Sequence, residues 1–153
     1  MRKSGVGLLV MLSLAACREP ASPTPFPELS GRWYSPWLAK HGAKPCEQSY
    51  VEFHQDSIRF YGVDSNRGPA RLRVFSITRK GADIAIANEL SGTAYIRVRD
   101  GAMWLTDAQF ETKIVMPEIT SRGRKVDTTE MADNARRARY ASVEKSFDMK
   151  RCA

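Results

Sequence analysis

The run "AYIRVRDGAMWL" (Ala94 to Leu105) constrains this chain's fold more than any other stretch. Ile96 and Val98 point one way, while Tyr95, Arg97 and Arg99 point the other. Asp100-Gly101 follows, and two-residue hairpin turns favour this dipeptide because both positions take positive φ. Met103 and Leu105, or Ala102 and Trp104, then supply the returning inward face. A period of two on both sides of a two-residue turn predicts an antiparallel hairpin with one buried face.

The same pattern recurs along the chain. In "SYVEFHQDSIRFYG" Val51 and Phe53 share a face, Gln55-Asp56 turn the chain, and Ile58 and Phe60 return. His54 falls on the opposite side of that strand and is expected to face solvent. Asp64 to Pro69 reads as a loop. In "RLRVFSITRKGADIAIAN" Leu72 and Val74 alternate with Arg71 and Arg73, Lys80-Gly81 marks the turn, and Ile84 and Ile86 alternate with alanines. "LSGRWYSPW" (Leu29 to Trp37) opens the domain, and "FETKIVM" (Phe110 to Met116) alternates once more. About eight locally connected strands predict a mainly β fold, a small antiparallel meander that closes into a barrel to hide its edges.

After Pro117 the character changes. Ser121 to Lys125 is a basic loop. Asp127 reads as the N-cap of one C-terminal α-helix, with Glu130 in its first turn. Met131, Ala135, Ala138 and Ser142 form a stripe, extended by Val143 and Phe147, that should pack on the barrel. Arg136, Arg137, Arg139, Glu144 and Lys145 occupy the other side.

The amino terminus is a different kind of sequence. Arg2 and Lys3 precede an apolar run, Val6 to Ala16. That run suits a signal-peptide core and is too short to span a bilayer. Its end, Leu14-Ala15-Ala16-Cys17, resembles the lipobox of bacterial lipoproteins. The resemblance implies cleavage after Ala16, diacylglycerol on the Cys17 sulfur and usually an acylated Cys17 amino group. It implies attachment to the membrane through lipid alone, since two or more acyl chains hold stably where one does not. Arg18, in place of an aspartate after the cysteine, implies transfer to the outer membrane, facing the periplasm or the surface. Pro20, Pro23, Pro25 and Pro27 are four of the chain's 8 prolines, so Cys17 to Glu28 is expected to act as an extended tether outside the core. The folded domain is then 29–153, about 125 residues and one domain.

Removing the signal takes Arg2 and Lys3 and no acid, leaving 22 Lys and Arg against 17 Asp and Glu, a charge of +5 instead of +7. Such surface suits an anionic partner or is solubility charge spread around the domain. Nucleic acid is not an expected partner of an exported lipoprotein. With Cys17 lipidated, Cys46 and Cys152 are left as one pair, and an exported compartment permits their disulfide. A reactive thiol is the alternative.

"SGRWY" is similar to the Gly-x-Trp opening of lipocalins, carried here by Gly31 and Trp33. The likeness implies a barrel whose Trp plugs the closed end, in a chain shorter than most lipocalins and with less room for a cavity. Chemistry is harder to find. His41, His54 and Cys46 match no standard metal-ligand spacing, so no metal and no cofactor are expected. Nucleophile elbows, phosphate loops, His-Glu-x-x-His and Cys-x-x-Cys are missing from the sequence, which points away from an enzyme. Arg122, Arg124 and Lys125 with Arg136, Arg137 and Arg139 form either a docking patch or a solvated face. Trp37 beside Pro36 is a further candidate contact.

The expected function is therefore a non-enzymatic envelope lipoprotein acting by protein–protein contact, as an assembly accessory, inhibitor or immunity factor. A lipocalin-like carrier of a small apolar ligand is second. A hydrolase with an unrecognised site is third.

Overall fold

Along strand β6 (Gly92–Arg99), buried Gly92, Ala94 and Ile96 alternate with half-exposed Thr93, Tyr95 and Arg97. That period-two burial repeats through the computed structural model, which describes Thr24 and residues 26–90, 92–110, 120–122, 124–125 and 128–153. Cys17, Asp127 and most of the "FETKIVM" run lie outside the described residues.

The other strands are β1 (Arg32–Tyr34), β2 (Tyr50–Phe53), β3 (Ser57–Tyr61), β4 (Arg71–Lys80), β5 (Asp83–Asn88) and β7 (Ala102–Phe110). A small separate hairpin follows, β8 (Thr120–Ser121) with β9 (Arg124–Lys125). Then come helix α1 (Thr129–Phe147) and strand β10 (Met149–Arg151). Strands β1 to β7 and β10 form a closed eight-strand antiparallel barrel. The closing strand lies after the helix: β10 pairs with β1 through Trp33 and Arg151, and with β7 through Met149 and Met103.

The predicted hairpins sit as the turn chemistry requires. Asp100 and Gly101 take φ of 51° and 73°, which few residue types other than Asn, Asp and Gly adopt readily. The returning inward face is Met103 and Leu105, both buried. Two β-bulges adjust the pattern. One lies between Val74 and Ser76 and leaves Phe75 64 % exposed. The other lies opposite Tyr95–Ile96, where Thr106 is the extra residue and its hydroxyl donates to the Tyr95 carbonyl at 3.1 Å. This shift of parity returns Ala108 and Phe110 to the inner wall.

The core is one cluster running from Leu29 and Trp33 through Ile58, Ile86 and Ile96 to Phe147 and Met149. Each fully buried large side chain contributes about 1.5–3 kcal/mol. Antiparallel order places the turns at Asp56, Gly81 and Asp100 at one end of the barrel. The opposite end carries the loops 35–49 and 62–70, residues 89–90 and the C-terminal half of α1.

The folded domain begins earlier than Leu29. Phe26 packs against the core, and Pro27–Leu29 forms a 3₁₀ turn. The carbonyl of Leu29 accepts the Trp33 indole N–H at 3.2 Å. Phe26 and Glu28, expected in the tether, thus pack with the domain, the ring against the core and the carboxylate against Arg79.

Cys46 and Cys152 lie at disulfide distance, with Cα atoms 5.6 Å apart and a sequence separation of 106. The bond joins the β1–β2 loop to the residue after the closing strand.

The helix packs differently from the predicted stripe. Met131 is 46 % exposed, and Ala138 and Ser142 are exposed. Contact with the barrel is made by Val143 and Phe147, as expected, joined by Tyr140. The helix N-cap is Thr128, without a side-chain capping bond. Among the described residues, no helix is long and apolar enough to cross a membrane.

Candidate functional site

A cavity of about 150 Å³ lies at the loop-bearing mouth of the barrel. Its position follows from side-chain size. Low in the barrel, Ile84 opposes Ile96, and Ile96 opposes Leu105. Higher up, Ala94 opposes Ala108, and Gly92 opposes Phe110. The small residues leave room where the large ones fill it. Gly92 is required there, because a Cβ on it would meet the Gln109 carbonyl oxygen at 2.9 Å and Phe110 Cδ1 at 3.1 Å.

The barrel contributes Ile58, Phe60 and Leu72 to the wall, and α1 lays Val143, Ser146 and Phe147 against the opening. The lining is mostly apolar, with two cationic side chains at the rim, Arg67 and Arg139. Arg139 donates from Nη2 to the Leu90 carbonyl at 2.7 Å and lies 4.2 Å from the Phe110 ring centroid. Arg67 donates to the Trp37 carbonyl at 3.0 Å, and its Nε lies 3.7 Å from the Asp64 carboxylate.

Among the described residues, the predicted basic side chains meet different surroundings. Arg139 turns onto the cavity rim. Arg136 pairs with Asp133 on its own helix at 3.1 Å, and Arg137 is exposed. Arg122 is exposed with φ of 51° in the β8–β9 turn. Arg124 and Lys125 are placed by their backbone in β9, and their side chains lie outside the description. Trp37 is half-buried between two cations, with Arg67 at 4.4 Å and Lys145 Nζ at 4.7 Å from its ring centroid. Each stacked cation contributes about 0.5–1 kcal/mol at exposed sites.

The opposite end is closed by a clamp. The Arg151 guanidinium carbon lies 4.9 Å from the Trp33 ring centroid, and Nη2 donates to the Glu28 carbonyl. Arg79 pairs with the Glu28 carboxylate and covers the Phe26 ring at 4.8 Å. A hydrogen bond to its own backbone, then one from Arg79, holds the Glu28 carboxyl below its ordinary value. The Ser57 hydroxyl, 2.8 Å from Oδ1, is the main cause that lowers Asp56, with Arg71 assisting.

His54 is a correction to the sequence reading: it is 4 % exposed, not solvent-facing. Strand β2 ends at Phe53, so alternation no longer sets the direction of the next side chain. Its Nε2 lies 3.6 Å from the Glu52 carboxylate, beyond hydrogen-bond reach, and neither ring nitrogen has a described partner. His41 is exposed in a polar surface depression with Lys40 and Asp64. Among the described residues, no group of three His, Cys, Asp or Glu side chains converges on a point that could hold a metal ion.

Sequence reasoning missed the cavity. Its only signal is the placement of Gly92, Ala94 and Ala108 where inward-facing positions elsewhere carry Ile, Leu or Met. No family model, no curated protein and no solved structure matches this chain.

Proposed function

We propose that this chain is a non-enzymatic, lipid-anchored envelope protein that works by protein–protein contact, with Cys17 as its lipid attachment point. The observation that carries the reading is the filled barrel. Ile58, Ile84, Ile86, Ile96 and Met103 are each no more than 1 % exposed, and the space that remains is about 150 Å³. Small-molecule sites usually span about 300–1,000 Å³. The domain is also tied at both termini, by the Glu28–Arg79 pair and the Cys46–Cys152 bond. A rigid head on an extended spacer suits a protein that presents a surface, because little ordering entropy is lost on docking.

Outer-membrane attachment rests on the resemblance of Leu14-Ala15-Ala16-Cys17 to a lipobox and on Arg18. Cys17→Ala tests it: release from the membrane fraction, or a block in maturation, is the expected result. Unchanged membrane fractionation would exclude the lipid anchor.

A lipocalin-like carrier of a small apolar molecule is the second reading. The apolar lining of the mouth cavity favours it, since a dry cavity of this size takes up a single aromatic ring. Co-purification of a small apolar molecule at one per chain would favour this reading over the first.

A further inference from the structure

We infer that the mouth cavity is an anchor pocket for one apolar side chain of the partner protein, a Phe- or Leu-sized group with a carboxylate beside it. This inference rests on the contact reading above and adds where the partner docks and what it presents.

Three observations select that occupant. The first is size. A volume of about 150 Å³ matches an engineered protein cavity that binds benzene, so one ring or one branched alkyl group fills it. The second is the wall. Ala94, Ala108 and Phe147 offer an apolar surface built on strands and a helix, while Leu90 at the rim is 52 % exposed and extends it outward. A desolvated apolar anchor with a polar surround is where interfaces concentrate their binding energy. The third is charge. Arg139 has five N–H donors, of which one is used on the Leu90 carbonyl. Among the described residues no carboxylate pairs with it, whereas Arg67 leans on Asp64. An acidic residue beside the partner's anchor complements Arg139 and fixes the direction of docking.

The test uses the full chain in its native envelope. A photo-crosslinking residue replaces Ser142, an exposed lining position on α1, or Lys80 at the opposite end of the barrel. The Ser142 probe is expected to capture one protein through a peptide in which Phe, Leu or Met adjoins Asp or Glu. Ala108→Leu fills the cavity and should lower capture about tenfold, equivalent to about 1.4 kcal/mol. Ser146→Leu fills it from the helix side and should do the same, so a folding defect in one variant does not decide the result. Arg139→Gln should lower capture about threefold, as for a solvent-exposed ion pair. Unchanged capture in two folded, filled variants overturns the pocket. So does a Ser142 adduct with lipid or a small molecule and no protein. Capture by Lys80 and not by Ser142 removes the pocket and leaves the contact reading standing. Capture by neither removes both.

Discussion

Arg151 covers the ring of Trp33 at 4.9 Å and donates to the carbonyl of Glu28, so one side chain of the last strand closes the barrel on its first strand and on the segment before it. The stack and the hydrogen bond are worth about 0.5–2 kcal/mol each. Arg151→Ala should therefore lower stability by about 1–3 kcal/mol, read from the urea midpoint. Arg151→Lys should recover part of this, because an ammonium keeps the charge and loses the planar stack. No change in either variant would mean that the contact is incidental.

The Cys46–Cys152 bond closes a loop that spans almost the whole domain. On the chain-entropy model, loops of about 100 residues gain up to about 4.7 kcal/mol, and native disulfides typically give about 2–4. Cys152→Ser, or reduction of the folded protein, should lower stability by that typical amount. Thiol titration of the native protein should find Cys46 and Cys152 unreactive; labelling of both would show that the bond is absent.

His54 is buried with no hydrogen-bond partner for either ring nitrogen among the described residues, Nε2 lying 3.6 Å from the Glu52 carboxylate. An orphaned buried polar group costs about 1–3 kcal/mol. His54→Met removes the polar atoms and keeps much of the volume, so it should leave stability unchanged or raise it by about 1 kcal/mol. A large loss in the denaturation midpoint would show that the imidazole has a partner, such as an ordered water.

Glu28 carries a lowered pKa in the fold, from its backbone hydrogen bond first and Arg79 second. A carboxyl with a lower folded than unfolded pKa binds fewer protons when folded. Its stabilisation is complete above the ordinary carboxylate range and is lost as pH falls through the lowered value. Asp56, lowered mainly by Ser57, acts in the same direction. Both groups lie at the surface, so the effect is small and fades with salt. Stability should be flat from neutral pH to about pH 5 and decline below about pH 4, and Glu28→Gln should make the decline shallower. A decline that is identical in the variant would place the acid sensitivity elsewhere.

The hairpins were legible because Asp100-Gly101 and the alternation around it act locally, and local rules sufficed for Ile84, Ile96 and Met103. Closure was legible because an eight-strand meander has few other ways to bury its edges. The strand that performs it was not: Met149–Arg151 is three residues long and carries no period. The face of α1 was legible at Val143 and Phe147 but not at Met131, because the mouth sets which turns of the helix are covered. Among the described residues, the turns carrying Arg139, Val143 and Phe147 line the mouth, while Met131 meets solvent. His54 was misread because strand periodicity was carried one residue past the strand. The mouth cavity depends on Ala94 facing Ala108 across β6 and β7, a pairing in space that appears only after the bulge at Thr106 sets the register.

Native mass spectrometry of the native chain, released gently from the envelope without reducing agent, tests the central claim most directly. The account predicts a complex of this chain with another protein, with no small molecule retained in the barrel. A monomer carrying one apolar small molecule per chain, and no protein partner, would contradict it.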